Sequence, residues 1–329
     1  MTEPVASPVY GFGGRLSAAF PSQVIIDLTE VCNLACSHCP HAGFQASPRY
    51  GRHRLDPALN AKVVDEIRDR GAGQVQYLRY TAEGEPLTHP DCYDMIEDAV
   101  RRSGVFVTLT TNGTLMRGQG IRRLIDSGVD MIDVSIDAHR PETYRQIRVG
   151  GDLERTRTNV LDLLETIRRS GAKTKVVVSF IEQDLNRGEA AAFEQYWTEQ
   201  GVERVVIRRL HSAAGAVSAI AQTLQDGLAD KPRRPCVYPW ERIVLTPRGH
   251  LAFCPDDWVG GSILADYRDT SIATLWNGEA YRALRADHLR GDYTQQTFCR
   301  DCPDWAQTRW PEEGPAYATM IAAMTLRKE

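Results

Sequence analysis

The chain has 329 residues, enough for one large or two modest domains. Hydrophobic residues make up 42%, charged residues 25% and aromatics 8%, proportions that suit a soluble globular protein and exclude a disordered tail, a collagen or a coiled coil. A net charge of -4 and a pI near 6.1 offer no basic field to a phosphate backbone, so nucleic acid is not an expected partner.

Residues 1–22 read as an N-terminal extension. They show no basic stretch leading into an apolar run and a small-residue cleavage site, and no run of about 18 apolar residues occurs anywhere. A cytoplasmic protein away from membranes is expected. In a reducing compartment its eight cysteines serve as metal ligands, catalytic groups or buried small side chains sooner than as disulfides.

Residues 23–212 alternate short β-branched runs with amphipathic stretches. Strands are predicted at Val24–Leu28, Val75–Tyr80, Val105–Thr110, Met131–Ile136, Lys173–Ile181 and Arg204–Leu210. Helices are predicted at Pro57–Arg70, Tyr93–Arg102, Ile121–Ser127, Leu153–Ser170 and Glu189–Gln200. This alternation is α/β, a parallel sheet with right-handed crossovers, either open or curled into part of a barrel; reactive groups belong at the strand C-terminal ends in both. Residues 213–235 then read as a helical connection and linker, with helix expected over Ser212–Asp230. Residues 236–329 form a last, cysteine-rich unit with a hairpin (Arg242–Pro247, His250–Cys254) and one helix near Ile272–Leu289. So little regular pattern needs a staple, and four cysteines supply one.

The first strand runs straight into Thr29-Glu30-Val31-Cys32-Asn33-Leu34-Ala35-Cys36-Ser37-His38-Cys39. Three thiolates spaced C-x3-C-x2-C can hold three irons of a cubane and leave the fourth open, as a catalytic cluster requires. A zinc site would need a fourth ligand, His38 or His41. Cys236, Cys254, Cys299 and Cys302 make a second, complete set that fills a 4Fe-4S cluster or a structural zinc. Cys92 is left over, as a core residue or as a hydrogen-atom donor.

The first spacing resembles the radical S-adenosylmethionine (SAM) superfamily. So do Glu83-Gly84-Glu85-Pro86 after the second strand, Asn112-Gly113 after the third, and Ser135 and Asp137 of the fourth, two residues expected on one strand face. The resemblance implies a partial (βα)6 barrel whose open iron binds SAM. Glu83, Gly84, Glu85 and Pro86 would meet the SAM amino group, Ser135 and Asp137 its ribose or carboxyl end, with Asn112 and His38 also among the cofactor contacts. The second set, with Gly249 in a G-x4-C arrangement, resembles the SPASM auxiliary domain in its short Twitch form. The layout resembles radical SAM diol dehydrogenases of aminoglycoside biosynthesis. That resemblance implies two 4Fe-4S clusters and a flavodoxin or ferredoxin as reductant. It also implies a 5′-deoxyadenosyl radical that takes a carbinol hydrogen, and a ketyl radical that passes its electron to the auxiliary cluster.

A cation should stabilise the developing alkoxide. Arg208 and Arg209 end the sixth strand facing opposite ways, so one should look into the barrel; Arg148 is a second candidate or else half of a surface salt bridge. Asp256, Asp257 and Asp304 could hold the ammonium groups of an aminocyclitol. The alternatives are a sugar epimerase and a ribosomal-peptide-modifying enzyme, the latter expected to need more than the twenty or so residues before the first strand for a leader-binding domain. A zinc-stabilised binding protein is the non-enzyme alternative.

Overall fold

The structure, a computed structural model, describes residues 19–81, 83–228, 231–308 and 324. The expected N-terminal extension up to residue 18 and nearly all of the chain after residue 308 lie outside these.

Six parallel strands follow one another across the sheet: β1 (Gln23–Asp27), β2 (Tyr77–Thr81), β3 (Phe106–Thr111), β4 (Met131–Ser135), β5 (Lys175–Glu182) and β6 (Arg204–Arg209). The helices between them are α1 (His41–Gln45), α2 (Pro57–Arg70), α3 (Cys92–Arg102), α4 (Gln119–Asp126), α5 (Pro141–Ile147), α6 (Leu153–Ser170) and α7 (Ala190–Glu199). Strand order equals chain order, and one continuous core joins the helices to one sheet face through Val24, Ile26, Leu78, Tyr80, Val107, Leu109, Ile132 and Val134. Helices on a single face mark a barrel-type winding, since a doubly wound sheet reverses its order and covers both faces. The period-two alternation puts Asp27, Arg79, Thr108, Asp133, Ser179 and Arg208 on the opposite face. Toward the strand N-termini that face is closed by an apolar group of Tyr77, Phe106, Met131, Val177 and Met324.

The C-terminal hairpin does not stand apart from this sheet. Strand β7 (Arg242–Leu245) pairs parallel with β1, and β8 (His250–Ala252) and β9 (Ile263–Asp266) continue antiparallel, giving one nine-stranded sheet in the order β6-β5-β4-β3-β2-β1-β7-β8-β9. The hairpin turn is closed by Gly249, whose φ of +83° suits a residue without a Cβ.

Three expectations are corrected. The helix expected over Ser212–Asp230 is α8 (Ser218–Asp226); before it, Asp304 accepts the amides of Ser212 and Ala214 and fixes a turn with positive φ at Ala213 and Ala214. Helix 272–289 is two helices, separated at Asn277-Gly278: Ile272–Trp276 and Glu279–Arg290. Finally, β4 stops at Ser135 and Asp137 turns with φ +64°, so the shared strand face assumed for Ser135 and Asp137 does not exist.

Candidate active site

The cysteine loop leaves the C-terminal end of β1 and is locked from several sides. Glu30, 1% exposed, accepts hydrogen bonds from the amides of Gly51 and His53, from the His53 ring and from Arg248 Nε at 2.8 Å. These donors hold its carboxyl below the usual range against the opposing effect of burial. Across the loop, Gly84 packs so tightly that an added Cβ would lie 2.2 Å from the Val31 carbonyl oxygen, which explains the glycine. The Gly84 and Glu85 amides donate to the carbonyls of Thr29 and Val31. Both oxygens of Glu85 are taken by the protein itself, from Leu87 N, Thr111 Oγ1 and Asn112 N. The Asn112 side-chain amide donates to Asn33 Oδ1 at 3.0 Å, next to Cys32.

Cys32, Cys36 and Cys39 are free thiols on this loop. Burial pushes Cys32 up to about 11 and Cys39 up to about 12, so ligation by a cationic metal centre is what would make them thiolates here. Each loop histidine has one ring nitrogen engaged: His41 Nε2 bonds the Glu30 carbonyl at 2.8 Å, and His38 Nε2 lies 3.6 Å from Asp137. Desolvation lowers His38 to about 4, leaving it neutral. Three thiols without a fourth protein ligand are the donor set of an open cluster.

Arg148 is 7% exposed, which corrects the alternative of a surface salt bridge. It pairs with Asp137 at 2.5 Å and approaches Cys36 Sγ at 3.6 Å. Asp137 Oδ1 accepts the Ile181 amide, binding this cation to the end of β5. Ser135 is half-buried at the end of β4. Arg208 lies on the sheet face away from the helices, paired with Asp133 at 2.5 Å and bonded to Ser179 Oγ. Arg209 is exposed.

The second cysteine set closes around one space. Cys236, Cys254, Cys299 and Cys302 all line a cavity of about 430 Å³, with Tyr238, Phe253 and Trp305 around them. Burial pushes Cys299 and Cys302 up to about 12 and raises Cys236 and Cys254 further. Four thiols lining one cavity suit a cluster with no open position. Asp304 also lines it, but its oxygens are taken by Ser212 and Ala214. The Asp257 carboxylate is likewise taken, by the amides of residues 259–262 and the Ser262 hydroxyl. Neither is available for an ammonium group, in contrast to the sequence expectation. Asp256 lies 4.0 Å from His211 Nδ1.

A second cavity of about 400 Å³ is lined by residues of both the barrel and the C-terminal domain. Glu30 and Phe44, which flank the first cysteine loop in sequence, line it together with Cys254 of the second set. Asp27 and Glu83 face into it. Sequence reasoning missed Asp27; the signal was a carboxylate in the inward register Gln23, Ile25, Asp27 at the strand end.

Residues 26–185 match the radical SAM superfamily, and residues 236–303 match the SPASM iron-sulfur cluster-binding domain. The chain is a radical SAM enzyme with a C-terminal SPASM domain. The first domain implies a 4Fe-4S cluster and SAM, and the SPASM domain an additional Fe-S cluster. Among curated relatives, a probable GTP 3',8-cyclase of Methanococcus maripaludis is 27% identical over 176 residues, covering 54% of this chain and 55% of that protein. The chain thus matches little more than half the length of that relative. The PqqA peptide cyclase of Xanthomonas campestris pv. campestris is 25% identical over 321 residues, 88% of this chain and 82% of that protein. Among solved structures, BtrN in complex with AdoMet and 2-DOIA superposes with a TM-score of 0.58 at 16% identity, over 85% of this chain and 92% of BtrN. That likeness concerns the fold. No helix among the described residues is long and apolar enough to cross a membrane.

Proposed function

We propose that this radical SAM SPASM protein is a dehydrogenase that oxidises a secondary alcohol of an aminocyclitol or amino sugar to a ketone, in antibiotic biosynthesis. One observation carries the reading: Cys254 lines both the cavity of the second cysteine set and the cavity that Glu30 and Phe44 border. A substrate held there would touch a ligand of an electron acceptor, which a two-electron oxidation needs and a redox-neutral epimerisation does not. The bound complex of BtrN supports the substrate class by analogy of fold.

When bound, the clusters and SAM would supply a hydrogen-abstracting radical, generated with one electron from a reductant such as a flavodoxin or ferredoxin, and a sink for the electron that the substrate radical gives up. The chain supplies position and charge. Cys32, Cys36 and Cys39 would hold the open cluster and the other four cysteines the closed one. Ser135, Asn112, His38, Asp137, Gly84, Glu85, Pro86 and the backbone of Glu83 would contact SAM, which leaves the Glu83 carboxylate to the neighbouring cavity. Arg208, fixed by Asp133 and Ser179, would hydrogen-bond the alcohol oxygen as its proton leaves; Arg148 acts beside Cys36, and Arg209 takes no part.

The test is anaerobic reconstitution with SAM, dithionite and an aminocyclitol, followed by mass spectrometry. A ketone lighter by two hydrogens, formed one-for-one with 5′-deoxyadenosine, is the expected outcome; an isomer of unchanged mass would replace this reading with epimerisation. Peptide modification is the second reading, favoured by the match to the PqqA peptide cyclase along 88% of the chain; a cross-linked peptide product would establish it.

A further inference from the structure

The second cavity, which Cys254 borders, is lined by four carboxylates whose situations differ. Glu30 is paired with Arg248 and bonded to Gly51 and His53. Asp257 is saturated by its own loop. Asp27 and Glu83 receive no hydrogen bond and no ion pair among the described residues. Asp27 is 5% exposed, so its carboxylate has given up water without gaining a donor, a costly arrangement unless a ligand completes it. Burial raises Asp27 to about 7, with Asp256 adding to the rise, and raises Glu83 to about 9, with Asp27 adding to it. The Arg79 guanidinium pulls Asp27 the other way, but its Nε donates to Thr110. Exposed Arg49 also borders the cavity.

A cation with several N–H donors would satisfy both carboxylates, drawing off their protons as it binds, and the space beside Cys254 would take the rest of the molecule. We propose that this cavity is the subsite for a primary ammonium group of the substrate, with Asp27 as its principal anion and Glu83 as the second. This deepens the aminocyclitol reading above and rests on it for the ring that carries the amine. It also moves ammonium recognition from the auxiliary loops, where Asp257 and Asp304 are spent, to the end of β1 and the turn after β2.

Calorimetric titration of the reconstituted holoenzyme with SAM tests it, using 2-deoxystreptamine and glucosamine against their neutral counterparts scyllo-inositol and glucose. An amine preference of about tenfold or more is expected, as for a charged hydrogen bond. It should be lost in Asp27→Asn and weakened in Glu83→Gln, with iron content and visible absorbance retained. If Asp27→Asn does not load iron, Glu83→Gln alone carries the test. Equal binding of amine and neutral probes, no amine binding, or a preference that survives substitution would overturn the proposal. Amine-selective binding without ketone formation would retire the dehydrogenase reading and leave this subsite standing; ketone formation from a neutral cyclitol, without amine selectivity, would do the reverse.

Discussion

Asp27 is held in a state that favours its protonated form, burial outweighing the attraction of Arg79. With a folded pKa near 7 against an ordinary 3.8, the folded protein binds the extra proton between those values. The associated stability is complete below pH about 4 and is lost as the pH rises through about 7. Asp27→Asn is therefore expected to raise the apparent melting temperature of the ligand-free protein at pH about 8 and to change it little at pH about 4. A substitution that lowers stability equally at both would contradict this. Cys92 is fully buried in the main core, borders neither cavity, and has its thiol pKa raised by burial. Cys92→Ala is expected to cost about 1–2 kcal/mol in denaturant unfolding while leaving the product unchanged, because a hydrogen donor would have to reach the substrate.

Among the elements, α2 does more than cover the sheet. Glu66 accepts from the Tyr267 hydroxyl and from the amides of Ile272 and Ala273, capping a helix of the C-terminal domain. One turn earlier, Lys62 donates to the carbonyls of Tyr267 and Thr270. A single face of α2, spaced i to i+4, thus clamps the SPASM domain to the barrel, and Arg248 to Glu30 is a second clamp. Glu66→Ala leaves three donors without their acceptor and is expected to cost about 2–3 kcal/mol, read as a lower denaturation midpoint. None of this was visible in the sequence, where Lys62 and Glu66 are ordinary charges on an amphipathic helix. The strands were visible because β-branched runs between amphipathic helices repeat the same local physics six times. Helix ends over 212–230 and 272–289 were not, since Asp304 and Gly278 decide them through contacts that residue type alone does not announce.

For the whole molecule, Cys32, Cys36 and Cys39 were legible as a set because ligands on a short loop are close in sequence, whereas Cys236, Cys254, Cys299 and Cys302 were grouped by resemblance and meet only in the fold. Which carboxylates stay free was hidden: Asp256, Asp257 and Asp304 lie beside cysteines in sequence, yet Asp257 and Asp304 are consumed by local amides. The two-set architecture predicts about eight irons per chain after anaerobic reconstitution and about four in Cys254→Ala, measured by iron assay; stoichiometric zinc in place of iron would contradict both. The pairing of β1 with β7 has a consequence for biosynthesis. From the moment β1 leaves the ribosome, the edge that will meet Arg242–Leu245 has no partner, and it keeps that open edge until almost three quarters of the chain has been made. An unpaired strand edge invites association with other chains, so a nascent or truncated product ending before Arg242 would be sticky. The emergence of Arg242–Leu245 is then the step at which this edge of the enzyme is first covered.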